Sequence, residues 1–403
     1  MHRSRGAALR WGTFLALLCA AGARADVLEA RSPDPALEAP PVITAPGADY
    51  GDASRKFQGI PGLERTRKGR LWATWYAGGE GEGPYNYVVL VTSGDDGRTW
   101  SAPKLVVDPK WLVRAFDPCL WIDPRGRLWL FWAQAVGHWD GRGGVWAIMT
   151  ENPEEENPRW SQPRRLANGV MMNKPTVVRG QWLLAIGGWK NRPPNLTRYD
   201  VDWSPHTIAS LTHDLGAEKG SNVFVSADHG ATFRFLGQAQ VPETQFDEHM
   251  IVERRDGSLW MLVRTTYGIG QSFSYDGGKT WTPGEKYMDH VVSRFFIRRL
   301  KSGRLLLVKH NPPAGKVRSH LTAYLSADEG KTWQGGLLLD EREQVSYPDG
   351  VQARDGRIFV IYDRERTGAR EILMAVFTED DVLSGRPVSR QSRLRVLVNK
   401  AGP

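Results

Sequence analysis

Short apolar runs separated by glycine turns recur along the whole chain. Six of these turns share one pattern, in which an apolar run leads into a glycine and a second apolar run follows it, and they are centred on Gly69, Gly126, Gly180, Gly257, Gly303 and Gly356. Each repeat predicts a β-hairpin with the glycine in its turn. Because the runs are continuously apolar and do not alternate with polar residues, the strands are predicted to be buried on both faces.

A second motif, S-x-D-x-G-x-T-[WF], falls between the hairpins. It occurs at residues 93–100, 226–233, 274–281 and 326–333, and a degenerate copy lies near Trp160. The pattern is typical of a turn, because an aspartate can accept hydrogen bonds from nearby backbone amides and a glycine tolerates positive φ. A calcium loop would need more oxygen ligands at alternating positions. We therefore interpret these boxes as structural turns.

The repeat predicts the architecture. Units of about 50 residues, each with paired strands and a fixed turn, are typical of a β-propeller, so six hairpins predict an all-β fold of six blades. We place the propeller at residues 49–380, after an N-terminal extension at 26–48. The tail at 381–403 is a candidate to complete the last blade. The longest spacing, from Gly180 to Gly257, predicts an insertion at about residues 191–220.

The first 25 residues are typical of an export signal. A basic start precedes a short apolar core, and Ala23-Arg24-Ala25 resembles a cleavage site. The apolar core is too short for a permanent anchor, and no later segment is long and apolar enough to cross a membrane. We therefore predict a secreted or periplasmic protein with no membrane span.

Composition narrows the function classes. The chain has 403 residues, with 41% hydrophobic, 24% charged and 10% aromatic, which excludes a disordered or collagen-like protein. Only Cys119 remains after the leader, which excludes a disulfide framework. The formal net charge is +8 and four of the arginines lie in the leader, so nucleic acid is not indicated. The nine histidines lack ligand spacing, and we predict neither a metal nor another cofactor.

The hairpins also predict where a site would lie. If the glycine turns share one rim, the first strands begin and the second strands end at the opposite rim. Ionisable and polar side chains gather at those positions, namely Gln58, Glu82, Asp117, Lys174, Glu248, Arg264, Arg294, Arg318, Tyr347 and Asp349. Such a rim predicts a pocket for polar, ring-shaped ligands.

These motifs resemble the sialidase (neuraminidase) superfamily over most of residues 55–380. The four boxes are similar to the Asp-boxes of that family. The resemblance implies that Tyr347 is the nucleophile, Glu248 its base and Glu82 the acid/base residue. It also implies that Arg264 and Arg318 bind a substrate carboxylate. The chemistry is consistent, since a carboxylate beside a phenol can remove the proton of a group whose ordinary pKa is near ~10.

One stretch departs from the family pattern. The family's first unit opens with an aromatic-Arg-Ile-Pro motif, whose arginine completes a three-arginine clamp on the carboxylate. This chain has Phe57-Gln58-Gly59-Ile60-Pro61 instead, and a neutral amide cannot replace a guanidinium. Arg294 and Lys174 are candidates to compensate from neighbouring blades, and Asp117 and Asp349 are further candidates for substrate binding.

The sequence therefore predicts an exo-acting glycoside hydrolase that releases a terminal, acidic sugar such as sialic acid from a glycan. Two alternatives stay open at this stage. One is a hydrolase or lyase on the same fold that acts on uronate- or rhamnose-containing glycans. The other is a propeller without catalytic activity that binds a glycan or a protein.

Overall fold

The predicted six-bladed propeller is confirmed. A computed structural model describes residues 34–189 and 210–402, and within those ranges the chain forms 25 strands in six antiparallel sheets. The leader and most of the predicted insertion lie outside the described residues, so export stays a prediction. In the described part, no helix is long and apolar enough to cross a membrane.

The strands are numbered in chain order, and each sheet is formed by consecutive strands. The first sheet has β1 (Val42–Ile43), β2 (Gln58–Arg65), β3 (Leu71–Ala77), β4 (Tyr87–Ser93) and β5 (Leu105–Val107). The second has β6 (Val113–Ile122), β7 (Leu128–Val136), β8 (Gly144–Thr150) and β9 (Arg164–Ala167). The third has β10 (Thr176–Val178), β11 (Gln181–Gly188), β12 (Gly220–Ser226) and β13 (Arg234–Ala239).

The remaining three sheets repeat the same meander. The fourth has β14 (Met250–Glu253), β15 (Leu259–Thr265), β16 (Gly268–Ser274) and β17 (Glu285–Met288). The fifth has β18 (Phe296–Arg299), β19 (Leu305–His310), β20 (Leu321–Ser326) and β21 (Gln334–Asp340). The sixth has β22 (Val345–Gln352), β23 (Ile358–Arg364), β24 (Glu371–Phe377) and β25 (Arg393–Lys400).

The sheets close into a ring through their innermost strands, which are β2, β6, β10, β14, β18 and β22 and are called the first strands; β1 is an additional outer strand of the first sheet. Strand β2 contacts β6 on one side and β22 on the other, so the first and last sheets are neighbours. The six glycines of the predicted hairpins all have positive φ and lie between the first and second strands of their sheets. Large apolar side chains fill the space between sheets, and Trp72, Trp132, Trp182 and Trp260 are all buried.

The Asp-boxes form the turns between the third and fourth strands. In the third sheet the carboxylate of Asp228 accepts hydrogen bonds from the amide and the hydroxyl of Thr232, at 2.9 and 2.5 Å. The hydroxyl of Ser226 accepts a hydrogen bond from the amide of Gly230 at 2.8 Å. Each box therefore satisfies its own backbone groups, which explains its recurrence without a bound ion.

The sixth sheet is closed differently. A short helix, α1 (Glu379–Ser384), occupies the place of the box, and the C-terminal β25 pairs with β24 as the fourth strand. The Thr378 side chain accepts a hydrogen bond from the amide of Asp381, whose carboxylate accepts one from the amide of Thr378. The N-terminal β1 pairs with β5 at the outer edge of the first sheet. Four single-turn 3-10 helices are also present in the described ranges, at Pro35–Leu37, Ala48–Tyr50, Asp52–Ser54 and Gly216–Glu218.

Candidate active site

Three of the first strands contain the same irregularity, a residue with positive φ followed by a proline. These residues are Ile60 (φ 58°) in β2, Asp117 (φ 48°) in β6 and Tyr347 (φ 55°) in β22. The strand register shifts at each of these positions, since a proline cannot donate to the sheet and the chain bulges around it. The bulges change the direction of the side chains at the inner ends of three neighbouring blades. A proline inside an otherwise apolar strand is a pattern by which the sequence analysis could have found these bulges, but it did not use it.

A tyrosine, a glutamate and an arginine from two different sheets meet at the centre of the ring. The Tyr347 hydroxyl donates a hydrogen bond to Oε1 of Glu248 at 2.6 Å. Nη1 of Arg264 donates to the same oxygen at 2.6 Å and to the Tyr347 hydroxyl oxygen at 2.9 Å. All three side chains are buried. The structure thus brings together three residues that the sequence analysis had selected from distant parts of the chain.

The electrostatics of this cluster keep the phenol protonated at rest. Burial, and then the charge of Glu248, raise the pKa of Tyr347 above its ordinary value, although three arginines act in the opposite direction. Burial alone would lower the pKa of Arg264, but Glu248 and Tyr347 together raise it, so the guanidinium stays charged. The second oxygen of Glu248, Oε2, has no hydrogen-bond partner among the described residues. The arrangement can pass a proton from the phenol to the carboxylate.

Two more arginines surround the tyrosine ring. The Cζ atom of Arg318 lies 5.7 Å from the ring centroid of Tyr347, and that of Arg366 lies 4.4 Å from it. Arg318 donates to the backbone oxygen of Val292 at 3.0 Å, and Arg264 approaches the same oxygen at 3.4 Å. Arg366 was missed in the sequence, although it follows the second strand of its sheet and so satisfies the rule that selected Glu82 and Arg318.

Two further carboxyl groups, those of Asp117 and Glu82, lie beside the arginines, and their pKa values are shifted in opposite directions. Burial raises the pKa of Asp117 to about 8, with the charges of Glu82 and Glu248 acting in the same direction. Burial would also raise the pKa of Glu82, but Arg366 and then Arg114 lower it below its ordinary value. Asp117 is therefore neutral and Glu82 anionic at neutral pH. Oε1 of Glu82 accepts a hydrogen bond from Arg366 at 2.9 Å, and its side chain is 34% exposed.

Lys174, Asp349 and Arg294 are joined in a buried ionic network. The Lys174 ammonium lies 3.1 Å from Asp349 and 3.4 Å from Glu64, and it donates to two backbone oxygens of neighbouring sheets. Arg294 lies 3.7 Å from the Asp349 carboxylate and donates to the side chain of Asn173 at 2.8 Å. Each of these contacts joins first strands, or the segments next to them, from different sheets. The geometry favours a role in holding the ring together.

The side-chain hydrogen bonds of Gln58 are made to residues outside the tyrosine cluster. Its amide nitrogen donates to the backbone oxygen of Arg370 at 2.7 Å, and its amide oxygen accepts from Arg55 at 3.1 Å. The residue of β2 that lies against Arg366 is its neighbour Gly59, because a Cβ added there would lie 2.7 Å from Cγ and Cδ of Arg366.

An aromatic cleft of about 370 Å³ adjoins the cluster. It is lined by residues that include Trp139, Trp189, Phe246 and Gln245, and the last of these accepts a hydrogen bond from Arg264 at 3.2 Å. Flat aromatic walls with a few polar groups are typical of carbohydrate-binding pockets. Within residues 34–189 and 210–402, no group of three or more His, Cys, Asp or Glu side chains is placed to hold a metal ion.

Comparison with known proteins agrees with the propeller fold. Residues 69–360 match the BNR repeat-like domain, a span that covers most of the chain. The chain belongs to the BNR repeat-like domain family. A curated relative, a sialidase of Bacteroides fragilis (strain YCH46), is 24% identical over an alignment that covers 73% of this chain. The alignment spans 58% of that relative's own length. The resemblance to sialidases is thus confirmed at the level of the superfamily.

Solved structures of a sialidase and of a trans-sialidase show a similar fold. The Hadza microbial sialidase Hz136 superposes with a TM-score of 0.60 at 18% identity, covering 82% of this chain and 67% of its own. The intramolecular trans-sialidase of Ruminococcus gnavus superposes with a TM-score of 0.58 at 14% identity, covering 85% of this chain and 98% of its own. At these identities the likeness carries the fold alone.

Proposed function

We propose that the protein is an exo-acting glycoside hydrolase that releases a terminal, acidic sugar of the sialic acid type from a glycan. The observation that carries the proposal is the buried hydrogen bond of 2.6 Å between the Tyr347 hydroxyl and Glu248, braced by Arg264. A tyrosine nucleophile suits an anionic substrate, because a carboxylate nucleophile would repel the substrate's own charge. The fold and the curated sialidase relative support the same class of reaction.

The roles follow from the contacts. Glu248 accepts the phenolic proton, and the Tyr347 oxygen forms a bond to the anomeric carbon as the bond to the leaving oxygen breaks. Glu82, which is partly exposed at the edge of the cluster, takes up a proton from solvent when the substrate binds and donates that proton to the leaving oxygen. A water molecule then loses a proton to Glu82 and attacks the anomeric carbon. The Tyr347 oxygen leaves and recovers its proton from Glu248, so the configuration of the sugar is retained.

Arg264 and Arg318 bind the substrate carboxylate and fix the ring's position. Asp117, which is neutral at neutral pH, can donate a hydrogen bond to a ring substituent. The aromatic cleft beside Gln245 provides room for the sugar's apolar face or the leaving group.

The test is a parallel assay with umbelliferyl glycosides of sialic acid, glucuronic acid and rhamnose. We expect release of sialic acid, and we expect Tyr347→Phe to lower kcat by at least about 10³-fold, or about 4 kcal/mol. Tyr275→Phe is the matched control, because Tyr275 is exposed on the surface. Undiminished turnover in Tyr347→Phe would refute the mechanism, and release of only the uronate or the rhamnose would move the substrate class to one of the alternatives.

A further inference from the structure

The first strand of the first sheet carries a glycine where a side chain would enter the tyrosine cluster. A Cβ on Gly59 would lie 2.7 Å from both Cγ and Cδ of Arg366 and 2.9 Å from its Nε. Contacts this short are sterically forbidden, so no other residue fits at position 59 while Arg366 keeps its place. The space beside this strand is therefore filled by an arginine that comes from the sixth sheet, from the segment that follows β23.

Arg366 is held firmly in that space. Its Nε donates to Oδ2 of Asp363 at 2.8 Å, and the same oxygen accepts a hydrogen bond from the amide of Ile60 at 2.7 Å. Its Nη2 donates to the Ser346 hydroxyl at 3.2 Å, while Oδ1 of Asp363 accepts from that hydroxyl at 2.5 Å. Asp363 is fully buried and joins the first and sixth sheets. The guanidinium is thus oriented by a carboxylate that belongs to the scaffold.

The three arginines around the tyrosine are paired unequally with carboxylates. Arg264 pairs with Glu248, and Arg366 pairs with Asp363 and Glu82. Arg318 makes no ion pair within the described residues, and its pKa is lowered by burial, with Arg366 and Arg264 adding repulsion. Three guanidinium groups that converge on one tyrosine, one of them without a counter-charge, form a site that an anion would stabilise.

We propose that Arg366 is the third carboxylate-binding arginine of this site, supplied by the segment after β23 in place of the first strand, and that Gly59 makes room for it. The inference rests on the proposed function, since it assigns the same substrate carboxylate. It differs from the expectation that Arg294 or Lys174 compensates, because both of those are engaged in the buried network.

The proposal also has a consequence for the protonation of Glu82, the acid/base residue. The exposed side of the Arg366 guanidinium is occupied by Glu82 at 2.9 Å. A substrate carboxylate that binds this guanidinium competes with Glu82 for it. The charge that keeps Glu82 anionic is then partly neutralised, so the residue takes up a proton more readily when the acidic sugar is bound. Substrate binding and proton donation are coupled through one arginine.

The experiment compares a sialoside with its carboxylate methyl ester, using the umbelliferyl glycosides of both. Arg366→Gln should lower kcat/KM about 10- to 100-fold more on the acid than on the ester, with the additional loss on the acid mainly in KM. Arg366→Lys should recover only part of the loss, because an ammonium cannot form two parallel hydrogen bonds. Arg364→Gln is the matched control, since Arg364 pairs with Glu365 and Glu371 away from the tyrosine.

A double variant tests whether an arginine at position 59 can take over the role of Arg366. Gly59→Arg alone should disrupt the site through the clash with Arg366, whereas Gly59→Arg combined with Arg366→Ala should recover discrimination in favour of the acid over the ester. Thermal unfolding of each variant shows whether it is folded. Equal losses on acid and ester, or no loss in a folded Arg366→Gln, would overturn the proposal.

The failure of the proposed function is distinguishable from the failure of this inference. If the wild-type protein releases no sugar, binding of free sialic acid and of its methyl ester is measured by titration calorimetry. If the protein binds the acid and Arg366→Gln weakens that binding, the arginine assignment is supported in a protein without catalytic activity. Absence of binding to the acid, or binding that Arg366→Gln leaves unchanged, overturns it.

Discussion

Asp117 offers a test of the site that does not depend on the substrate. The structure places this carboxyl in a buried position where its pKa rises from 3.8 to about 8, first because of burial and then because of the nearby charges of Glu82 and Glu248. Between about pH 4 and pH 8 the folded protein therefore holds a proton that the unfolded chain has lost. The free energy of unfolding must fall as the pH rises through this window. Asp117→Asn removes the titration and keeps a neutral side chain of similar shape.

The size of the effect follows from the shift. A displacement of about four pKa units, at about 1.4 kcal/mol per unit, gives an upper limit of about 6 kcal/mol over the whole window. Compared with wild type, Asp117→Asn should gain stability steadily from pH 5 to pH 8. Near pH 5 the two proteins should differ least, because this pH is closest to the ordinary pKa of 3.8, above which the unfolded chain loses the proton that the folded protein keeps.

Urea denaturation at pH 5, 6, 7 and 8 measures this difference directly, provided that the denaturant slope m is the same for both proteins. Asp256→Asn is the control, because the Ser258 hydroxyl lowers the pKa of that exposed carboxylate and its titration lies below the window. Its stability should run parallel to that of wild type. Parallel curves for Asp117→Asn and wild type would refute the assignment of Asp117 as a neutral, buried acid.

Three further predictions concern the base, the buried network and the helix. Glu248→Gln should lower kcat by about 10²- to 10⁴-fold without unfolding the protein, and a wild-type rate would contradict its role as base. Lys174→Met should cost about 3–5 kcal/mol in urea denaturation, because Asp349 and Glu64 lose their ammonium; a loss below about 1 kcal/mol, or one matched by the exposed Lys286→Met, would contradict this. Thr378→Ala should cost about 1 kcal/mol by removing the cap of α1, whereas Thr378→Ser should be neutral, and an equal loss in both would count against the cap.

Local patterns were read correctly from the sequence. A hairpin depends on residues close together in the chain, so the glycine turns predicted the pairing of first and second strands in each sheet. The Asp-boxes are also local, since the hydrogen bonds of Ser226 and Asp228 are made within the same eight residues. Six repetitions of such units were enough to predict the propeller.

The central cluster was partly predictable for a related reason. Tyr347 and Glu248 are 99 residues apart, but each lies at the same place in its own repeat. A closed ring brings equivalent positions of different blades to the axis, so the repeat itself predicted that these side chains converge. The same rule also selected Lys174, Arg294 and Asp349, and it could not distinguish a residue that faces the tyrosine from one that joins blades.

The sequence by itself determined the strands, the turns, the number of blades and the chemical character of one rim. Only the tertiary structure decided which side chains of that rim contact each other. It showed that Arg366 fills the space beside Gly59 and that Asp363 orients it. It also showed that Glu82 and Asp117 differ in charge. The reason is physical. Hairpins and boxes are stabilised by contacts within a few residues, whereas the position of a guanidinium and the pKa of a carboxyl depend on burial and on charges that only the closed ring brings together.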